Sequence, residues 1–279
     1  MTTNHLILFS LLIELIYKLS RSKNNKKIIK FNFMSSKTII IIPARFGSSR
    51  YRGKPLVKIL GRELVLRVAD TCAKAIGREN IYVATDSLKI KNRVVKENYN
   101  VIMTSNKCLT GTDRVAEASK KLNANIFINV QGDEPLVNPK DIKAIIKAKK
   151  KFPNHVICGY DKIHKLQNPK NVNLPKVVVN SNKELIYISR SLIPGSKKTI
   201  QNKNYFKQVC IYAFNKSELS YFSSLKKKSE IEEMEDIEIL RFFDLGIKVK
   251  MIKLNSNSVA VDEIKDVKKA EKIIRAKKK

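Results

Sequence analysis

The chain has 279 residues, 43% of them hydrophobic and 29% charged, as is typical of a globular protein with one or two domains. Its 56 Lys and Arg against 25 Asp and Glu give a formal net charge of +31, which suggests a nucleic-acid partner. However, the lysines are spread along the whole chain, and no RNA-recognition, helix-turn-helix or zinc-finger signature appears, so nucleic acid is not expected as a partner.

The cysteines and histidines lie far apart, and no two cysteines have the C-x-x-C spacing. This pattern predicts reduced thiols in a cytoplasmic protein and argues against a His/Cys metal site. The residues concerned are Cys72, Cys108, Cys158, Cys210, His5, His155 and His164.

Residues 1–34 differ from the rest of the chain. The apolar run from Leu6 to Tyr17 is short for a membrane span, contains Glu14, and precedes a basic stretch. A weak signal anchor, a disordered basic arm, and translated sequence upstream of a true start at Met34 are all open interpretations. We favour the last, because Met34 leads almost directly into the first predicted strand. A domain over 35–279 and no membrane contact are therefore expected.

The stretch IIIIPARFGSSRYRGKPL predicts a buried strand followed by a phosphate-binding loop. The strand is Ile39–Ile42, whose β-branched run is typical of a strand covered on both faces. The loop then brings small residues and cations together without an acid, which suits a polyphosphate. A basic surface turn is the alternative.

Further apolar runs alternate with helical stripes and predict a parallel sheet. Strands are expected at Ile81–Ala84, Val101–Met103 and Ile126–Val130, with an amphipathic helix over Leu64–Ala75. Ligands bind beyond the carboxyl ends of such strands, so the loops that begin there should converge. These loops begin at Pro43, Thr85, Thr104 and Gln131.

Two polar motifs follow these strands. Thr110–Arg114, reading TGTDR, precedes a helix and is in itself a good N-cap. Asp133 and Glu134 follow the strand that ends at Val130 and face the cationic loop across the sheet. Carboxylates there suit Mg²⁺, which takes one or two of them and completes its shell with phosphate oxygens and water. Capping of the next helix is the alternative for this acidic pair.

The pattern changes after Phe152, where short strands predict an inserted β-rich lobe at about 180–215. Ser229–Phe243 then predicts one amphipathic helix. Its acidic residues are most simply a solvated face, and they are Glu232, Glu233, Glu235, Asp236 and Glu238.

Taken together, these motifs resemble those of the 3-deoxy-manno-octulosonate (Kdo) cytidylyltransferases, or CMP-Kdo synthetases. The resemblance spans about residues 37–275. The matching segments are IPAR…GKPL at 42–56, ATD at 84–86, TGTDR at 110–114, NVQGDEP at 129–135, YISRSLIP at 187–194, CIY at 210–212, a loose E-x-x-E-x-L-R at 235–241 and VD at 261–262.

The resemblance implies a Rossmann-like nucleotidyltransferase fold, a mainly parallel sheet flanked by helices with a smaller lobe. It also implies transfer of CMP from CTP to Kdo with release of pyrophosphate, in a Mg²⁺-dependent homodimer built through the lobe. Nucleotide contacts would come from Arg45, Ser48, Arg50, Lys54, Thr85, Thr110, Gly111 and Thr112. Sugar-acid contacts would come from Gln131, Glu134, Arg190 and Tyr212, metal ligands from Asp133 and Asp262, and catalysis from Arg45, Lys54 and Asp133.

Three departures from the family pattern stand out. Gln208 replaces a frequent histidine, Arg52 replaces a proline, and the segment after Asp262 lacks the family's turn proline. None removes an expected phosphate or metal ligand. A cytidylyltransferase for amino-Kdo or a nonulosonic acid is the nearest alternative, and a basic nucleic-acid-binding protein on a nucleotide-binding scaffold is the alternative from another class.

Overall fold

The computed structural model describes residues 37–47, 51–164, 167–197, 204–256 and 260–276. The expected N-terminal extension, residues 1–34, lies outside these ranges. Within them, no helix is both long and apolar enough to cross a membrane.

A nine-stranded sheet forms the centre of the domain, with its main path in the order β11-β7-β10-β6-β1-β4-β5. β10 runs antiparallel to β6 and β7. The remaining pairs on this path are parallel: β1 pairs with β4 and β6, β4 pairs with β5, and β7 pairs with β11. The strands are β1 Thr38–Ala44, β2 Lys58–Ile59, β3 Arg62–Glu63, β4 Ile81–Thr85, β5 Asn100–Met103, β6 Ile126–Val130, β7 Val156–Lys162, β8 Lys176–Val179, β9 Leu185–Ser189, β10 Phe206–Phe214 and β11 Val249–Lys253; β2 and β3 form a separate hairpin.

Helices cover both faces of the sheet. In the described ranges they are α1 Leu64–Ile76, α2 Leu88–Val95, α3 Gly111–Ser119, α4 Pro139–Lys151, α5 Lys216–Ser224, α6 Glu230–Glu235, α7 Leu240–Asp244 and α8 Ile264–Ala276. One apolar core packs beneath α1, α2 and α4, and a second packs beneath α3, α5 and α7. The predicted fold class, a mainly parallel sheet flanked by helices, is confirmed.

The central strands match their predictions because both of their faces are covered. Side chains alternate along a strand, so Ile40 and Ile42 of β1 enter one core while Ile39 and Ile41 enter the other. A continuous apolar run is the direct consequence of this double burial.

The region after Phe152 contributes more to the central sheet than its pattern indicated. β7, β10 and β11 lie in the main path, and β8 and β9 form an antiparallel hairpin beside it. β8 joins this hairpin to β10 through the pairing of Lys176 with Lys207. The division of residues 180–215 into a separate lobe stays a prediction.

The prediction of a single helix over Ser229–Phe243 is wrong. α6 ends at Glu235, Asp236 adopts a left-handed conformation with φ 48°, and α7 begins only at Leu240. Because of this break, the acidic residues that were expected on one solvated face are divided between the interior and the surface. Glu232 is fully buried, whereas Glu233 and Asp236 remain exposed.

Candidate active site

Polar side chains from the carboxyl ends of β1 and β6 converge on a cavity of about 1310 Å³. Arg45 follows β1, and Gln131 to Glu134 follow β6, as expected for loops that leave one edge of a parallel sheet. The facing wall comes from β10 and from the α6–α7 segment. The cavity therefore lies where the sequence predicted a ligand site.

Lys54 lies between two carboxylates at the base of this cavity. Its Nζ is 2.7 Å from Oδ2 of Asp133 and 3.5 Å from Oδ1 of Asp262. The backbone brings these acids together, because the Val261 N–H donates to the Asp133 carbonyl at 2.9 Å. All three side chains are partly exposed, so they remain accessible to a ligand.

Gly132 allows β1 and the acidic loop to approach closely. A Cβ at this position would lie 2.6 Å from the carbonyl oxygen of Pro43, and a backbone atom cannot easily move away. Glycine is therefore required if Asp133 is to lie beside the loop that follows β1.

The TGTDR motif begins α3 and is held from two sides. Thr110 and Asp113 form a capping box, and the Asp113 carboxylate also accepts hydrogen bonds from the Arg241 guanidinium at 2.7 and 3.2 Å. On the other side, Arg114 donates to Asp86 at 3.1 Å and also bonds the Thr104 hydroxyl. The backbone of this loop is consequently fixed at the cavity wall.

Arg241 links this loop to the acidic segment. It is fully buried, forms a bidentate pair with fully buried Glu232, and lies 3.9 Å above the Phe222 ring. A buried guanidinium shared by two carboxylates is stable only while all three groups remain together. Arg241 therefore couples α7 and α6 to the start of α3.

Glu238 makes a second link at the cavity wall. Its Oε2 accepts the Thr112 N–H at 2.8 Å, and its Oε1 accepts the Gln131 side-chain N–H at 2.6 Å. Burial raises the pKa of Glu238 to about 7, although the hydrogen bond from Thr112 favours the charged form. Gly111 leaves room for this arrangement, because a Cβ there would lie 2.8 Å from the Gln131 amide nitrogen.

Arg190 is held mainly by backbone carbonyls. Its guanidinium donates to Glu235 O at 2.6 Å, Asp236 O at 2.9 Å and Val172 O at 3.0 Å, so the end of β9 is tied to the end of α6. Tyr212, which is 2% exposed, accepts a hydrogen bond from Gln208 at 3.0 Å. Burial raises the pKa of Tyr212 well above its usual value, so the phenol stays protonated.

The structure brings most of the predicted site residues to one cavity. Those that line it are Arg45, Lys54, Thr110, Gly111, Gln131, Asp133, Glu134, Arg190, Tyr212 and Asp262. Thr85 and Thr112 do not line it: both are buried, and their hydroxyls accept from Ser87 N–H and the Asn129 side chain. Ser48 and Arg50 lie outside the described residues.

Sequence reasoning missed several residues of the cavity wall, among them Glu238 and Lys207. Glu238 was assigned to a solvated face, although the E-x-x-E-x-L-R resemblance marked its position. Lys207 carried no distinguishing signal among 56 basic residues. Chemically, the cavity offers cations and small-residue backbone for a polyphosphate, two converging carboxylates for a hard cation, and a polar wall for a hydroxylated ligand.

Comparison with known proteins gives consistent matches over most of the chain. The family model for cytidylyltransferases matches residues 39–252. The 3-deoxy-manno-octulosonate cytidylyltransferase of Escherichia coli is 34% identical over 230 residues, which cover 81% of this chain and 92% of that protein. The 8-amino-3,8-dideoxy-manno-octulosonate cytidylyltransferase of Shewanella sp. (strain W3-18-1) is 37% identical over 246 residues, covering 85% and 98%. The solved structure of CMP:2-keto-3-deoxy-manno-octonic acid synthetase complexed with CTP has a TM-score of 0.80 and 32% identity, covering 87% of this chain and 100% of that one.

Proposed function

The chain belongs to the cytidylyltransferase family, and from that premise we propose that it transfers CMP from CTP to 3-deoxy-D-manno-octulosonate, giving CMP-Kdo and pyrophosphate for lipopolysaccharide synthesis. One observation carries the proposal. The cation Lys54 and the carboxylates of Asp133 and Asp262 meet at the strand ends, beside the loop that carries Arg45. This is the grouping that a metal-bound nucleoside triphosphate requires.

The residues at this point fit a magnesium ion. Asp133 and Asp262 each direct a carboxylate oxygen at the same ammonium group, so their oxygens already converge on one cation. Carboxylates are the hard ligands that Mg²⁺ prefers, and phosphate oxygens and water would complete its shell. When bound, the ion supplies charge neutralisation for the polyphosphate.

The protein's own groups would position the reactants. Arg45 and Lys54 would bind the triphosphate, and the fixed TGTDR loop would hold the cytidine against the start of α3. The anomeric hydroxyl of the sugar acid would then attack the α-phosphorus. The new O–P bond forms as the bond from that phosphorus to the bridging oxygen breaks, pyrophosphate leaves, and the hydroxyl proton is released to solvent. Alignment and charge stabilisation account for the rate, since no covalent intermediate is needed.

Gln131 has the clearest geometry for the sugar acid. Its amide nitrogen donates to Glu238, so its carbonyl oxygen stays available to accept from a sugar hydroxyl. Glu134, Arg190 and Tyr212 would complete this side of the cavity.

A second candidate substrate is the 8-amino analogue of Kdo. The Shewanella relative named for that substrate is 37% identical to this chain, and the match covers 98% of that protein. Both candidates share the same chemistry at the anomeric carbon and differ only at the far end of the sugar.

We also propose a homodimer that associates through residues 180–215 and a cytoplasmic location. The family resemblance supports the dimer, and the reduced cysteine pattern supports the location. Sedimentation equilibrium tests the dimer; a monomer at micromolar concentration would contradict it.

Pyrophosphate release tests the function directly. The protein is incubated with CTP and Mg²⁺, with and without Kdo, alongside the 8-amino analogue and a nonulosonic acid. ATP, GTP and UTP replace CTP as controls, and EDTA tests the metal requirement. We expect release only with CTP, a Kdo-type acid and Mg²⁺ together.

The outcomes separate the candidates. A higher kcat/KM for the 8-amino analogue than for Kdo would transfer the assignment to that substrate. Pyrophosphate release with the nonulosonic acid, and with no other sugar acid, would transfer the assignment to that class of substrate. If no sugar acid gave pyrophosphate release, and RNA or DNA binding weakened steeply with salt, the nucleic-acid interpretation would be favoured.

A further inference from the structure

A buried lysine lies in the cavity wall. Lys207, on β10, is 5% exposed and lines the cavity. Within the ranges that the structure describes, its ammonium group forms no hydrogen bond and no ion pair. A charge on a buried residue is costly without a protein partner, and a ligand that enters the cavity can supply that partner.

The other buried lysines of the fold show the contrast. Lys149 is bound by both Glu218 oxygens at 2.7 Å, and Lys176 donates to the carbonyls of Asn171 and Arg190. Both are therefore satisfied within the protein. Among these three lysines, only Lys207 combines burial, an unsatisfied ammonium group and a place in the cavity lining.

The surroundings of Lys207 indicate which anion it would bind. It precedes Gln208 and lies on the same strand as Tyr212, on the wall formed by β10, whereas Arg45 and Lys54 come from the loops after β1. In the proposed site, Arg45 and Lys54 would already supply cations to the triphosphate. Burial lowers the pKa of Lys207, and the nearby charges of Glu134 and Asp161 oppose this effect without pairing with it.

We propose that Lys207 binds the carboxylate of the sugar-acid substrate. The inference rests on the proposed function and names a contact that neither the motifs nor the resemblance assigned. A buried ammonium–carboxylate pair would fix the acid end of the sugar, so that the neighbouring anomeric hydroxyl faces the nucleotide.

The test compares Lys207→Met, Lys207→Arg and the matched control Lys162→Met. Lys162 lies opposite Phe206 in the paired strand, but it is exposed and outside the cavity lining. Loss of one member of a buried charge pair predicts an increase of about 100-fold in the KM for Kdo with Lys207→Met. The KM for CTP should stay within about twofold, Lys207→Arg should recover much of the loss, and Lys162→Met should match wild type.

The methyl ester of Kdo assigns the effect to the carboxylate. Wild type should discriminate against the ester, which lacks the negative charge, while Lys207→Met should use acid and ester about equally. Thermal unfolding supplies a second readout. The Met variant should melt at or above the wild-type temperature, because it removes an unpaired buried charge.

Three outcomes would overturn the inference. The first is an unchanged KM for Kdo in Lys207→Met, and the second is an increase in the KM for CTP instead. The third is a marked loss of stability, which would show that the charge holds the fold. If the wild-type protein released no pyrophosphate with any sugar acid, the proposed function itself would be refuted, and the inference with it.

Discussion

Two acidic regions of the molecule contribute to the same cavity in different ways. The loop after β6 places Asp133 just beyond a strand end, so its position follows from the order of strands in the sheet. The segment 229–244 instead enters through a break at Asp236 and is held by contacts with residues more than 100 positions away. An acid in the first region can be located by reading the chain locally, and one in the second cannot.

This difference predicts different consequences of mutation. Asp133 is partly exposed and forms an ion pair at the cavity, so the fold is not expected to depend on its charge. Glu232 and Glu238 are built into contacts that connect helices. Changes at the strand end should therefore affect turnover, and changes in the acidic segment should first affect stability.

The largest expected effect is the loss of turnover in Asp133→Asn. The substitution removes a carboxylate that would bind the metal, and we expect kcat to fall about 1,000-fold. The melting temperature should stay close to that of wild type, because the lost ion pair is partly exposed. Initial rates of pyrophosphate release and a thermal scan measure the two quantities.

The exposed Asp244→Asn serves as the control for Asp133→Asn, because it removes the same charge outside the cavity. Wild-type activity in Asp133→Asn would refute the metal role. Unfolding of this variant would remove the contrast between the two regions.

Arg241→Met should produce the largest loss of stability. It leaves fully buried Glu232 and partly exposed Asp113 without their shared cation, and we expect a loss of about 3 kcal/mol in the free energy of unfolding. Because Asp113 caps the TGTDR loop, the KM for CTP should also rise. Urea unfolding and steady-state kinetics measure these effects.

Arg275→Met is the matched control, since Arg275 is exposed near the end of α8. Its unfolding free energy should change by less than about 0.5 kcal/mol. If Arg241→Met changed the free energy of unfolding as little as Arg275→Met, the contacts of Arg241 would not connect the acidic segment to the start of α3.

A pH dependence of stability is expected from Glu238 in the acidic segment. Its pKa rises from 4.5 to about 7 on folding, so the folded state binds more protons than the unfolded state between these values. The free energy of unfolding should therefore fall as pH rises through this window, by about 3 kcal/mol. Glu97, whose hydrogen bonds with Arg62 and Arg93 lower its pKa to about 2, contributes stability that is lost only on acidification below this window.

Urea unfolding of wild type and Glu238→Gln across pH 4.5 to 7 measures this dependence. The variant keeps the size of the side chain but cannot ionise, so its stability should be flatter over the window. Identical pH profiles for the two proteins would show that Glu238 is not held in a low-polarity environment.

The central half of the fold was predictable because its signals are local. The isoleucines of β1 and the apolar run of β6 report burial on both faces, and the loops after them must meet at one edge. The acidic segment was not predictable in this way. In the sequence, Glu232 has the pattern of a surface acid. Its burial depends on the contact with Arg241, and this contact requires a left-handed turn at Asp236, where the sequence has no glycine to indicate such a turn. Lys207 was hidden similarly, because only the assembled sheet shows which lysine is enclosed.

The smallest effect is expected at Glu233, and it tests whether buried and exposed acids of the same segment contribute differently to stability. Glu233 lies next to Glu232 in α6 but is 71% exposed, and its ion pair with Lys228 is 3.7 Å long. Glu233→Gln should change the unfolding free energy by less than about 0.5 kcal/mol and leave the KM values unchanged, whereas Glu232→Gln should resemble Arg241→Met. Equal effects of the two adjacent substitutions in urea unfolding would mean that the net charge of the segment, rather than the burial of particular acids, determines its contribution. Unequal effects would localise that contribution to the side chains that turn inward.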